Sequence, residues 1–327
     1  MAEVKYEMAP MEGITGYQFR ETYRDYYGDA DRYFTPFLVG KKLSAREKAE
    51  VEPAHNQGME LIPQILSNQA EEFVYIANRL WEYYGYEEVN LNLGCPSGTV
   101  ASKNRGSGFL RVPDELDRFL AYIYTHSKTK ISLKTRIGVI DAEGWDHLMD
   151  LYLQYPMSEL IIHPRTQRQG YGGVPDEEAF ALAVDKIQAH EVGVPQESRL
   201  RLCYNGNINS PEDAERIREK FPRIDAIMCG RGLIANPELL GRIRGTRGPE
   251  LDRKRFREYT EAMYRKYTTS GNFNERNLLF RIKELWLYWS TNFPEPQKVL
   301  RGIQKATTAL EYEAAVNVAF RSLEKNQ

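Results

Sequence analysis

The chain has 327 residues, 42% hydrophobic and 28% charged, with a net charge of −2, so it is long enough to bury a large core in one domain or two. No 18 apolar residues run together, which excludes a helical membrane span, and MAEVKYEMAP lacks a basic-then-apolar leader pattern; a cytoplasmic protein is expected. Cys95, Cys203 and Cys229 show no CxxC spacing and the five histidines no HExxH spacing, so neither a disulfide framework nor a metal site is supported.

Short apolar runs alternate with segments of helical period. In chain order, strands are predicted at Tyr6–Ala9, Tyr33–Phe37, Leu61–Leu66, Glu88–Leu91, Ile131–Thr135, Leu160–His163, Leu200–Tyr204 and Ala226–Cys229. Helices are predicted at Gly16–Tyr26, Ala70–Tyr84, Asp114–Thr125, Glu143–Tyr155, Glu177–Ala189 and Pro211–Lys220, the last opened by Ser210 as N-cap. Eight strands alternating with helices over about 240 residues is the arithmetic of a (β/α)8 barrel. A doubly wound sheet is the rival, but the first strand is followed by Pro10-Met11-Glu12-Gly13 rather than a glycine-rich dinucleotide fingerprint. Beyond Gly245, residues 252–270, 275–291 and 308–325 read as helices with no strand between them. The expected organisation is a barrel over residues 1–245 and a smaller all-helical domain over 246–327.

Charge divides along the same line. Of 44 Lys/Arg and 46 Asp/Glu, residues 251–327 carry 14 and 9, leaving 30 and 37 for the first 250. A basic tail on an acidic body suits a polyanionic partner; an ordinary solvated helical surface has the same composition.

Active sites of such barrels lie at the C-terminal ends of the strands. There the chain carries Pro10 and Met11, Gln64, Asn92 and Cys95, Lys134 and Arg136, His163 and Arg165, Asn205-Gly206-Asn207, and Gly230-Arg231-Gly232. Gly94 and Pro96 end a strand sharply, so Cys95 should project from its tip, where a thiol can donate a proton or attack an electrophile. The glycine-containing tips of strands 7 and 8, with a short helix starting near Asn236-Pro237, match the recurring barrel phosphate site. Lys134 should point into the barrel mouth, toward an anionic ligand or a carboxylate partner. His163 suits phosphate, cofactor or substrate, and equally a structural role. Cys203 and Cys229 fall in apolar strand ends and are expected as buried thiols.

Six segments in order resemble the tRNA-dihydrouridine synthases. They are Ala9-Pro10-Met11-Glu12-Gly13-Ile14-Thr15, Asn92-Leu93-Gly94-Cys95-Pro96-Ser97, Lys134-Thr135-Arg136-Ile137-Gly138, His163-x-Arg165-Thr166-x-x-Gln169-x-Tyr171-x-Gly173, Tyr204-Asn205-Gly206-Asn207-Ile208 and Cys229-Gly230-Arg231-Gly232-Leu233. The resemblance implies an FMN enzyme, reduced by NADPH, that converts a tRNA uridine to dihydrouridine. Pro10 and Met11 would line the flavin, Gln64 and Lys134 would meet its pyrimidine edge, and His163, Asn205, Gly206, Asn207, Gly230 and Arg231 would hold the ring or phosphate. Cys95 would be the catalytic acid, and Asn92, Arg136 and Arg165 would lie near the uracil. The tail would then meet tRNA, through residues drawn from Arg253, Lys254, Arg255, Arg257, Arg265, Lys266, Arg281, Lys283, Lys298, Arg301 and Lys305. Departures from the family pattern are Pro164 after His163, Gly106-Ser107-Gly108 where a Gly-Gly-Ala-type run is usual, and Asn207 in place of Asp. Two other readings share much of this pattern: an FMN barrel acting on a free pyrimidine or enone, and a non-catalytic tRNA-binding relative.

Overall fold

The computed structural model describes residues 3–271 and 274–324. They form two compact units, one of residues 3–10, 31–207 and 215–229, the other of the described residues within 11–30, 208–214 and 230–324.

The first unit is built on parallel strands β1 (Lys5–Met8), β2 (Arg32–Phe34), β3 (Glu60–Ile62), β4 (Gln64–Ile65), β5 (Glu88–Leu93), β6 (Lys130–Arg136), β7 (Glu159–His163), β8 (Arg201–Tyr204) and β9 (Ala226–Cys229). Hydrogen-bonded order runs β3-β2-β1-β9-β8-β7-β6-β5-β4, and every pair is parallel. Only Pro63 separates β3 from β4, so the two ends of that order are one interrupted strand and the sheet closes as an eight-membered barrel. Proline has no N–H to give the ladder, which is why the strand predicted as Leu61–Leu66 breaks there. Its carbonyl still accepts from Asn90 N (2.9 Å), and a bridge between Leu38 and Ile65 carries the pairing past the break. All eight predicted strands are present in the expected order.

Alternation along these strands sends one set of side chains into the barrel. Ala9, Phe34, Ile62, Ile161, Cys203, Ala226 and Met228 form an apolar middle layer. Below it, at the strand starts, Arg32 binds Glu159 (2.6 Å), Glu60 (2.8 Å) and Glu88 (2.8 Å), while Arg201 binds Glu7 and Glu159 (3.1 Å each). Burial raises the Glu7 and Glu159 carboxyls above their ordinary value, against the opposing pull of the two guanidiniums. Cys203 and Cys229 are buried as expected, and burial pushes the Cys229 thiol up to about 12.

Most predicted helices hold their bounds to within two residues. Ala70–Tyr84 is reproduced in full, ending at Gly85 with φ +77°, the left-handed conformation that a helix stop of this kind requires. Helix Ala45–Val51, opened by a capping box between Ser44 and Glu47, was not expected.

In the second unit the helices are Tyr17–Tyr26, Arg231–Ala235, Leu239–Ile243, Arg253–Thr269, Glu275–Trp289, Pro296–Lys305 and Ala309–Glu324. Residue 325, the last of the helix predicted at 308–325, lies outside the described residues. Leu278, Leu279, Ile282, Leu285, Trp286 and Trp289 are buried as one stripe, and Trp286 Nε1 donates to the Tyr312 hydroxyl (2.9 Å). Tyr259 meets Tyr26 and Tyr27 edge-on (ring centres 6.0 and 5.1 Å), and Lys266 pairs with Glu21 (2.8 Å). Among the described residues no helix is long and apolar enough to cross a membrane.

Candidate active site

The polar residues at the tips of the barrel strands form two connected systems. The first is a chain of amides. Ser132 accepts from Asn90 Nδ2 (3.0 Å), Asn90 Oδ1 from Gln64 Nε2 (2.8 Å), and Gln64 Oε1 from Asn92 Nδ2 (2.7 Å). Asn92 Oδ1 then accepts the backbone N–H groups of Gly94 (3.1 Å) and Cys95 (2.9 Å). Strand register makes this possible, because Gln64 lies opposite Asn90, and Asn90 opposite Ser132. Each amide is buried and each is oriented by the next, so the turn bearing Cys95 is tied through three strands.

The second system is built on two buried arginines. Arg136 donates to the carbonyls of Gly94 (2.8 Å), Thr166 (2.8 Å) and Gly170 (2.7 Å). Arg165 donates to the carbonyls of Gly172 (2.9 Å) and Gly173 (2.7 Å), to Asn207 Oδ1 (3.2 Å) and to His163 Nε2 (3.1 Å). A guanidinium only donates, so His163 Nε2 is an acceptor and its neutral ring carries its proton on Nδ1. Both arginines are 1% exposed, and their donors hold the 166–173 loop to the strand tips. The sequence suggested contacts to substrate for both; in the protein alone, main-chain carbonyls accept most of their hydrogen bonds. Tyr171 in that loop, half exposed, lies with its ring 5.5 Å from the Arg136 guanidinium and 6.0 Å from the His163 ring, a placement its motif alone did not reveal.

Lys134 sits between these systems, opposite Asn92 on β5 and Ile161 on β7. Burial among the strands, and then the Arg136 charge, pull its ammonium down to about 8, with Cys203 and Cys95 acting in the opposite sense. No carboxylate pairs with it among the described residues, so the structural alternative, an ion pair, is not realised. A half-buried cation beside a thiol, with no internal anion, fits a ligand that brings negative charge.

At the tip of β8, Asn205 Nδ2 donates to the Met228 carbonyl (2.8 Å), and a Cβ on Gly206 would stand 2.1 Å from the Tyr204 hydroxyl. Only glycine fits there, because the buried Tyr204 ring takes the space of a side chain. Pro10 stands two residues past the end of β1 in the same unit.

In the second unit, Met11 opens a tight turn, its N–H donating to Thr15 Oγ1 (2.7 Å). Gly230 and Arg231 begin helix Arg231–Ala235, and the short helix expected from Asn236-Pro237 follows as Leu239–Ile243, with Glu238 at its N-cap.

The family model for dihydrouridine synthase (Dus) matches residues 7–324. The chain belongs to the dihydrouridine synthase family. It is 29% identical over 241 residues to tRNA-dihydrouridine synthase B of Pasteurella multocida, covering 71% of this chain and 66% of that one. With the probable tRNA-dihydrouridine synthase 2 of Bacillus subtilis it shares 26% over 245 residues, covering 70% and 69%. The match thus spans about two thirds of the length of these curated relatives. Among solved structures, N-(5'-phosphoribosyl)anthranilate isomerase of Pyrococcus furiosus aligns at 12% identity and a TM-score of 0.44 over 74% of this chain and 96% of that one. The barrel assignment of this dihydrouridine synthase family member rests on its own strand order.

Proposed function

We propose that this protein is an FMN-dependent tRNA-dihydrouridine synthase with Cys95 as its proton donor. The observation that carries the reading is the juxtaposition, at one end of a closed barrel, of a tethered cysteine and a lysine without an internal anion, in a chain of this family. FMN reduced by NADPH would supply, when bound, the hydride for C6 of a tRNA uracil. Lys134 would hold negative charge on the flavin's pyrimidine edge, beside Gln64. Pro10 and Met11 would line the ring, and His163, Asn205, Gly206, Asn207, Gly230 and Arg231 would hold ring or phosphate, an assignment made on the family motifs. Asn92 and the loop held by Arg136 and Arg165 would face the base.

Cys95 delivers the proton to C5 of the base. A thiol suits this step because its ordinary pKa near 8.5 leaves it mostly protonated at neutral pH yet able to give the proton up. The uridine must first be unstacked and extruded, at roughly a few kcal/mol. Contacts of basic residues beyond Gly245 with tRNA phosphates would offset that cost. The protein would act in the cytoplasm, where its tRNA substrate is found.

The test is Cys95→Ala. In single-turnover reactions with tRNA and NADPH the variant should form dihydrouridine at least about 100-fold more slowly, as expected for loss of a general acid, and bind tRNA within about twofold of wild type. Product formation at the wild-type rate would refute the assigned role, and a purified protein without bound flavin would refute the cofactor.

A further inference from the structure

The two residues Gly94 and Cys95 have four main-chain polar atoms, and each has a side-chain partner. Asn92 Oδ1 accepts both N–H groups, Arg136 Nε donates to the Gly94 carbonyl, and Ser107 Oγ donates to the Cys95 carbonyl (2.7 Å). Asn92 and Arg136 come from neighbouring strand tips. Ser107 comes from the turn Gly106–Arg111, and its backbone N–H donates to the same Cys95 carbonyl (3.1 Å).

The flanking residues explain why serine stands between two glycines. Gly106 has φ +56°, and a Cβ there would lie 2.9 Å from Cys95 Cβ. A Cβ at Gly108 would lie 2.3 Å from the Ala101 carbonyl oxygen. Close approach on both sides removes every side chain from the tripeptide except one. That side chain is fully buried and its hydroxyl meets the Cys95 carbonyl.

A cysteine side chain has a single χ angle before its sulfur, so the placement of the thiol follows from the placement of its peptide. Misplacing a reacting group by about 1 Å costs roughly 100-fold in rate. We propose that Ser107 is a positioning residue, which fixes the Cys95 peptide so that the thiol faces the substrate carbon; this rests on the reading of Cys95 as proton donor. Its buried hydroxyl, donating to the Cys95 carbonyl, does for the carbonyl side of the turn what Asn92 does for the N–H side.

The experiment compares full-length wild type, Ser107→Ala and Ser107→Thr by two readouts. One is the rate of alkylation by iodoacetamide, which reports Cys95 because Cys203 and Cys229 are buried. The other is kcat and KM for dihydrouridine formation on tRNA. Ser107→Ala should alkylate at least about threefold faster and lose about tenfold or more in kcat with KM within about twofold, the pattern of lost positioning rather than lost binding. Ser107→Thr keeps the hydroxyl and should stay within about twofold of wild type in both readouts. Wild-type alkylation and kcat in Ser107→Ala would overturn the proposal. So would equal losses in both variants, which would remove the hydroxyl as cause, and so would unfolding of both, which would make Ser107 a residue of the fold. If wild type itself forms no dihydrouridine, the reading of Cys95 as donor fails, while a faster alkylation confined to Ser107→Ala still upholds the placement of the turn by Ser107.

Discussion

Lys134 shows how one residue records its surroundings. Its pKa falls because the barrel desolvates it and Arg136 repels it, so the charged form is disfavoured in the folded protein. The unfolded chain therefore binds more protons than the folded one between about pH 8 and 10.5, and stability gained from this group rises with pH across that window. Below pH 8 the full penalty is present. Lys134→Met should accordingly stabilise the ligand-free protein at pH 7 by on the order of 2–3 kcal/mol, and the difference from wild type should shrink toward pH 10. Urea denaturation of both proteins at the two pH values measures this, and a pH-independent difference would contradict it. Lys134 and Cys95 were legible in the sequence because apolar runs ending in polar residues mark strand tips. The work of Arg136 and Arg165 was not, since a sequence puts an arginine at a tip without saying whether its donors face a ligand or a carbonyl. Ser107 was visible only as a departure from a family motif; nothing local shows that its hydroxyl reaches a residue 12 positions away.

At the scale of elements, the strand starts are held together by Arg32, which bonds to side chains on β3, β5 and β7 and lies 3.7 Å from Glu7 on β1. Glu7 on β1 and Glu159 on β7 meet there around the same two guanidiniums, Arg32 and Arg201, a coupling that no local pattern shows. Arg32→Met should destabilise the protein by roughly 3–5 kcal/mol, because it leaves Arg201 as the one guanidinium facing the buried Glu7 and Glu159 carboxyls. The urea midpoint at pH 7 checks this; a shift under about 1 kcal/mol would mean that the carboxyls are neutralised by protonation instead. Strand order and number were readable from periodicity alone. The break at Pro63 was not marked, since a proline within an apolar run still reads as strand. Helix Pro296–Lys305 was missed for the related reason that Pro294 and Pro296 look like a stop, whereas Pro296 occupies the first helical turn, where a missing N–H costs nothing. That helix buries Val299 and Ile303 and exposes Lys298, Arg301 and Lys305, three cations on successive turns.

Across the whole molecule, positive charge gathers in residues 251–327 although the chain is slightly acidic overall. Replacing Lys298, Arg301 and Lys305 together by alanine should weaken tRNA binding and reduce the slope of log Kd against log salt by roughly 0.7–0.9 for each phosphate that is no longer neutralised. Filter binding between about 50 and about 300 mM salt gives the slope; an unchanged slope would exclude this helix from the tRNA surface. Residues 11–30 and 230–324 belong to one compact unit although about 200 residues of barrel separate them in sequence. During synthesis Tyr26 and Tyr27 leave the ribosome early, and Tyr259, the ring they pack against, follows only after roughly 10–50 s at ordinary elongation speeds. The first helix therefore waits, solvated and open to chaperones, until Arg253–Thr269 has emerged, and the second unit cannot close before then.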